Sequence, residues 1–352
     1  MNIINFSPAT KVRVFKSRML LTVSYSVILF LFGALFSEAS AHLAGQRRND
    51  NQSSQSIAER ESGATGGNNS RSLGDTTLAF GQSVATVKDQ AIKDAPVQSD
   101  ATRPVVEKIN AIRKLAGIQP VELDEALSRA CRLHAQYLVT NRADPKAQGL
   151  GAHTERQELP GFTAEGNKAA GASDIFWGRD IGGAVERWMA GLYHRIPILR
   201  PNLKRIGFGY EGNTVVADVV SGVVGPNLDS VAYPADGQSD VPTEFGVEIP
   251  NPLPKDAPRK AGYPITLLFP FVTKIAVVEA ALSDSAGGKV EFHLSDPENP
   301  ATSFPQQNTV CLIPIKPLAP NTTYKVSIKV NADGSVVRKS WSFVTRQAQA
   351  RK

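Results

Sequence analysis

The apolar residues of this chain change period once, and that change limits the fold more than any other feature. Between about residue 104 and residue 200 large apolar side chains recur every three or four positions, whereas beyond about residue 225 they alternate with polar ones. The first spacing gathers side chains on one face of a helix, the second on one face of a strand. The chain is therefore expected to join a helix-bearing region to a separate β region.

In the first region Val105, Val106, Ile109, Ile112 and Leu115 form a stripe that opens at Pro104 and closes at Gly117. A short link, Pro120 to Leu123, leads to Asp124, a helix N-cap for a second stripe of Leu127, Cys131, His134 and Leu138 that ends near Asn141. A polar stretch punctuated by Gly and Pro, residues 143–173, carries His153 and Glu165. Val185, Trp188, Met189 and Leu192 then mark a third helix, which Gly191 weakens and Pro197 ends. His194 is thus expected where a helix runs out into irregular chain, a place from which a side chain can be aimed at a cleft. Arg205 to Tyr210 and Thr214 to Val220 read as strands. Without βαβ alternation the region is α+β.

In the second region Ile265, Leu267 and Phe269 make one face, and Tyr324, Val326, Ile328 and Val330 make another against Lys325, Ser327 and Lys329. Trp341 and Phe343 follow the turn Asn331 to Gly334. Short strands with turns at this spacing predict an all-β, antiparallel sandwich.

Four cations, Lys11, Arg13, Lys16 and Arg18, precede the apolar run Met19 to Phe36, and Ala39, Ser40 and Ala41 supply small residues at a cleavage position. Residues 1–41 read as an export signal, either a cleaved signal peptide or a signal anchor. The A-x-A form at 39–41 favours the cleaved signal peptide; left uncleaved, residues 19–36 would be a membrane tether, since the run approaches the roughly 17 to 25 residues that span a bilayer. Residues 42–103, rich in Ser, Gly, Asn, Gln and Asp, have too few large apolar groups to offset ordering entropy and read as a disordered linker. The folded parts are then 104–224 and 225–346, with a tail at 347–352. The formal charge of +6 drops to +3 without residues 1–41, and the remaining cations are scattered, which argues against a nucleic-acid partner. Two cysteines, Cys131 and Cys311, exclude a disulfide-built scaffold; the sequence leaves open whether they pair or remain buried thiols.

A series of short motifs then lines up in order: Asn110 and Arg113 followed by Gly117, the link ending in Leu123 and Asp124, and the helix Leu127 to Ala135. Ala152-His153-Thr154, Trp188-Met189 with His194-Arg195, and Ile206 to Tyr210 complete it. Together they resemble the CAP superfamily of cysteine-rich secretory and pathogenesis-related proteins, in its bacterial, cysteine-poor form, over about residues 105–224. The resemblance implies an α-β-α sandwich. The second half, through Pro234 to Gly237, Val241-Pro242 and Leu318 to Tyr324, resembles bacterial immunoglobulin-like domains, in which the Tyr324 hydroxyl would bond back to the backbone upstream.

Members of the CAP superfamily present a cleft lined by two histidines and two glutamates. The resemblance puts His153 and His194 on the histidines and Glu165 on the first glutamate, although this chain reads Ala164-Glu165-Gly166-Asn167 where the family reads Gly-Glu-Asn. The second glutamate lies three residues beyond the tryptophan, and Gly191 stands there; Glu186, two residues before Trp188, is expected to point elsewhere. The implied set is therefore a triad of His153, Glu165 and His194.

Two imidazoles on one cavity can hold a divalent metal such as zinc, with Glu165 completing the shell or serving as base. Plainer readings exist: His153 can simply tie down its own loop, and Glu165 can be an exposed loop acid. His134 lies on an apolar stripe and is expected to pack, Cys131 is expected to be an inert buried thiol, and His293 carries no assigned role. No His-Glu-x-x-His signature, Ser-His-Asp set or catalytic cysteine is evident. The expected protein is a non-enzymatic module, secreted or held in the cell envelope, whose cleft binds a small ligand, lipid or envelope component. Its sandwich would act as a spacer or a docking surface for a protein partner. The alternative is a metal-dependent hydrolase of peptidase or esterase type acting through His153, Glu165 and His194.

Overall fold

The helical period is realised around one small sheet. The computed structural model describes residues 99–258, 260–270 and 273–348, all within one compact unit, Thr76–Lys352. The expected export segment, the tether and the linker up to residue 98 lie outside the described residues. Among the described residues no helix is long and apolar enough to cross a membrane.

Helix α1 spans Ser99–Leu115 and α2 spans Glu125–Thr140. Short helices follow at α3, Ala164–Ala170, at α4, Ala184–Met189, and at α5, Arg195–Ile198. The sheet has strand order β1-β3-β4-β2, built from β1 (Glu122–Leu123), β2 (Ser173–Trp177), β3 (Arg205–Glu211) and β4 (Thr214–Asp218). β1 runs parallel to β3, and the other pairs are antiparallel. Asp124 caps α2 as its position predicts, its Oδ1 accepting the Leu127 N–H at 3.0 Å. α2 lies across β3 so closely that a Cβ at Gly207 would meet the Leu127 backbone and one at Gly209 would meet that of Cys131.

The structure departs from the sequence reading at three places. α1 begins at Ser99, inside the stretch read as linker, and runs through Pro104. The third helix stops at Met189, and α5 resumes after His194 with Pro197 inside it. The break has a cause outside the helix, because the N–H groups of Leu192 and Tyr193 turn to the carboxylate of Glu248. Finally, β2 was not anticipated as a strand: Ser173, Asp174 and Ile175 are all buried, so no alternation marks it.

Two further sheets follow. One has the order β5-β7-β10-β9, from β5 (Val231–Tyr233), β7 (Ile265–Leu268), β9 (Phe292–Ser295) and β10 (Thr309–Pro314). The other has the order β6-β12-β11-β8, from β6 (Gln238–Val241), β8 (Ile275–Asp284), β11 (Thr323–Ala332) and β12 (Ser335–Thr345). β11 and β12 form a hairpin whose tip, Asp333-Gly334, holds both residues at positive φ, 48° and 83°. The Tyr324 hydroxyl accepts the Ala319 N–H at 2.8 Å, five residues upstream.

β10 shows how the layers join. Val310 and Leu312 pack with Val326, Ile328 and Phe343 of the far sheet, while Cys311 and Ile313, on the opposite face, pack with Leu192, Tyr193 and Ile196. The middle sheet is thus covered on both sides, which explains why every residue of β7 and β10 is buried. Arg195 clamps the same junction. It is fully buried, donates to the carbonyls of Met189 and Pro264, and lies 4.6 Å from the Tyr263 ring centre. Cys131 and Cys311 are both buried and free.

Candidate functional site

Four pieces of chain converge on one cleft of about 230 Å³: the short helix ending at His153, strand β2, the α4–α5 turn, and the extended segment Val247-Glu248-Ile249. His153 closes a 3-10 helix, Gly149–His153, and its Nδ1 donates to the Ala170 carbonyl at 3.2 Å, which ties it to the end of α3. Trp188 anchors α4 to β2 through its Nε1–H and the Ile175 carbonyl at 3.4 Å. His194 sits at the N-cap of α5 and faces the same cleft as His153.

Glu248 organises this cleft. Its carboxylate accepts the N–H groups of Leu192 at 2.5 Å, Tyr193 at 3.0 Å and His194 at 3.4 Å, and pairs with His194 Nδ1 at 2.9 Å. Both carboxyl oxygens are thus supplied with hydrogen-bond partners despite burial. Val247 and Ile249 on either side of it point outward, 71% and 56% exposed, and Trp177 across the rim is 47% exposed. Arg187 of α4 adds a cation to the lining. An apolar rim therefore surrounds a floor of polar, titratable groups.

The two histidines sit in opposite electrostatic settings. Burial pushes the His153 imidazole down to about 4, and the nearby His194 and His134 add to the effect, so the ring is neutral at physiological pH. Burial alone would also lower His194, but the hydrogen bond to Glu248 and the charges of Asp174 and Glu248 outweigh it and raise the value. Asp174, on β2, is buried with Oδ2 lacking any hydrogen-bond partner, and desolvation drives its carboxyl up to about 7.

The structure brings His153 and His194 to one cleft but sends Glu165 elsewhere. On the first turn of α3, Glu165 Oε1 accepts from Arg129 Nε at 2.9 Å and pairs with Arg129 Nη2 at 2.7 Å, and the residue does not line the cleft. The reason is helical phase: α3 turns Gly166, Ala169 and Ala170 inward, leaving position 165 over α2. Glu186 faces Lys108 of α1 in an ion pair. His134 is fully buried, with Nδ1 at 3.0 Å from Glu155 Oε1 and Nε2 at 2.8 Å from the Ala152 carbonyl.

Among the described residues no group of three or more His, Cys, Asp or Glu side chains is arranged to hold a metal ion. Glu165 is committed to Arg129, so the donor set expected for zinc, His153, Glu165 and His194, does not assemble. Sequence reasoning missed Glu248, Asp174 and Arg187. The available signals were a single acid between Val247 and Ile249 in a Pro-rich stretch, and the glycine at 191 where the resemblance leads one to expect a carboxylate.

A mixed sheet lies between α2 and α3 on one side and α1, α4 and α5 on the other, with a histidine-lined cleft at its edge. Residues 106–221 match the model of the family described as "CAP: Cysteine-rich secretory protein family", and the chain accordingly carries a CAP domain there. The chain is also similar to the "Uncharacterized protein YkwD" of Bacillus subtilis (strain 168), 28% identical over 142 residues, which is 40% of this chain. It spans about half, 54%, of that relative's length. A crystal structure of a DUF4426 family protein from Pseudomonas aeruginosa PAO1 aligns with 24% of this chain and 74% of its own at 14% identity. Its TM-score of 0.19 is too low to carry an argument.

Proposed function

We propose that this chain is an exported binding module whose CAP-domain cleft takes an amphiphilic ligand of the cell envelope. The observation that carries the reading is the pairing, in one cleft, of exposed Trp177, Val247 and Ile249 with a neutral His153, a His194 of raised basicity and Arg187. Exposed apolar side chains gathered at a concave polar site mark contact with an apolar partner. Arg187 offers hydrogen-bond donors and the free Nε2 atoms of the neutral imidazoles offer acceptors, which suit a hydroxyl-bearing, oxygen-rich head group, and a volume of about 230 Å³ admits that head with only part of a chain. Export rests on Lys11 to Arg18, the apolar run Met19 to Phe36 and the small residues at 39–41. We read the two sheets beyond residue 225 as an immunoglobulin-like spacer or docking unit; the Tyr324 hydroxyl bond to Ala319 supports that reading.

Quenching of tryptophan fluorescence tests the cleft. The purified protein is titrated with saturated fatty acids of increasing chain length, alkyl glycosides and short peptides, with ester and peptide turnover followed in parallel. Saturable binding that tightens with chain length and is weakened in Trp177→Ala, where Trp188 reports, is expected. Turnover of an ester or peptide without saturable amphiphile binding would overturn the reading.

A further inference from the structure

We propose that Glu248, supplied by a segment beyond the CAP domain, is the positioning residue of the cleft: its carboxylate occupies the space of a side chain at position 191 and fixes the orientation and tautomer of His194. The proposal rests on the binding reading above only for the cleft's use, not for its geometry.

The geometry comes from two glycines. A Cβ on Gly191 would lie 2.7 Å from Cδ of Glu248 and 3.0 Å from its Oε1, closer than carbon and a carboxyl group can approach. Gly191 therefore leaves room that Glu248 fills. Gly246, two residues before Glu248, makes the reciprocal accommodation: its N–H donates to the Ala190 carbonyl at 2.8 Å, and a Cβ there would meet the Ala190 Cβ at 2.7 Å. A side chain at either position would push the segment off the end of α4 and take the carboxylate with it.

What the carboxylate does follows from its contacts. The three backbone N–H groups at 192–194 hold it in place, so it approaches His194 from one fixed direction. With Nδ1–H donating to Oε2 at 2.9 Å, the remaining nitrogen, Nε2, is the one the ring can offer a ligand. The other titratable groups influencing this ring are Asp174, on β2, and His153 across the cleft. The family match ends at residue 221, and Glu248 lies 27 residues past it, so the CAP domain alone lacks a group its own cleft uses.

The test uses the full-length chain with 15N-labelled histidine; the five histidines are assigned by single substitution and His194 is titrated by NMR without ligand. Glu248→Gln keeps the shape and a backbone acceptor but removes the charge. It is expected to lower the His194 midpoint by about one pH unit or more and to weaken its preference for the Nδ1–H tautomer. In Gly191→Glu combined with Glu248→Ala the carboxylate hangs from position 191 instead, and the midpoint is expected to return toward wild type. A merely structural role for Glu248 would move neither value. An unchanged His194 titration in folded Glu248→Gln, or no recovery in the double variant after loss in the single one, overturns the proposal. Because no ligand enters this measurement, its failure is distinct from a failure of amphiphile binding.

Discussion

Among the described residues the same small unit occurs twice, a histidine paired with a glutamate whose carboxyl group rests against a glycine, and it serves two purposes. In the first, His134 and Glu155 are both wholly buried, both ring nitrogens face acceptors, and Glu155 Oε2 accepts the Thr163 N–H at 2.8 Å. Glu155 fills the space beside Gly166, where a Cβ would come within 3.1 Å of its Cδ. In the second, His194 keeps 16% of its side chain exposed while Glu248 keeps 3%, and the imidazole opens onto the cleft. Identical chemistry thus staples a loop to a helix where every hydrogen-bonding atom is satisfied internally, and makes a candidate site where one ring nitrogen is left to an outside partner.

The largest effect expected from this contrast is on stability. His134→Ala leaves the buried Glu155 carboxyl group and the Ala152 carbonyl without their shared partner, together with a cavity, and should cost about 3–5 kcal/mol in urea unfolding. His194→Ala, beside the open cleft, should cost no more than about 1–2 kcal/mol. Equal losses would erase the distinction between staple and site.

Asp174 sharpens it next. Its carboxyl titrates higher in the folded chain, about 7, than the ordinary 3.8, so its contribution is fully present below pH 3.8 and is lost as pH rises through 7. Asp174→Asn should therefore raise stability by roughly 2–4 kcal/mol at pH 8 and change little at pH 3.5, measured by thermal unfolding at the two pH values. A gain of the same size at both would show that the carboxyl of Asp174 does not titrate between those pH values.

The glycines give the third comparison. Gly166→Ala and Gly191→Ala should each cost about 1–3 kcal/mol, because each added methyl displaces a carboxylate. Only Gly191→Ala should also lower the His194 midpoint in an NMR titration. The smallest effect belongs to the rim: Trp177→Ala should alter unfolding by less than about 0.5 kcal/mol while weakening amphiphile affinity, since nearly half of the side chain is already in water.

The periods of the apolar residues were enough to locate α1, α2, β11 and β12, because each of these elements buries one face, and β3 and β4 could be read as strands from their apolar runs although β4 is buried throughout. They could not reveal β2, whose leading residues are buried without alternation, nor the end of α4, where the helix is broken by a carboxylate 59 residues beyond Met189. His153 and His194 could be singled out from local context. Glu165 looked equally suitable, yet one residue of helical phase turned it to Arg129, and adjacency in sequence carries no information about that phase at a seven-residue helix. Glu248 was illegible for a different reason. Its role depends on a contact between positions 191 and 248, and the local traces of that contact are two glycines, Gly191 and Gly246.

Carbethoxylation of the native protein with diethyl pyrocarbonate, mapped by mass spectrometry, tests the contrast between the two pairs most directly. The account predicts that His194 is modified through Nε2, that an amphiphile protects it, and that His134 reacts only after unfolding. Modification of His134 at a rate matching that of His194 in the folded chain would contradict it.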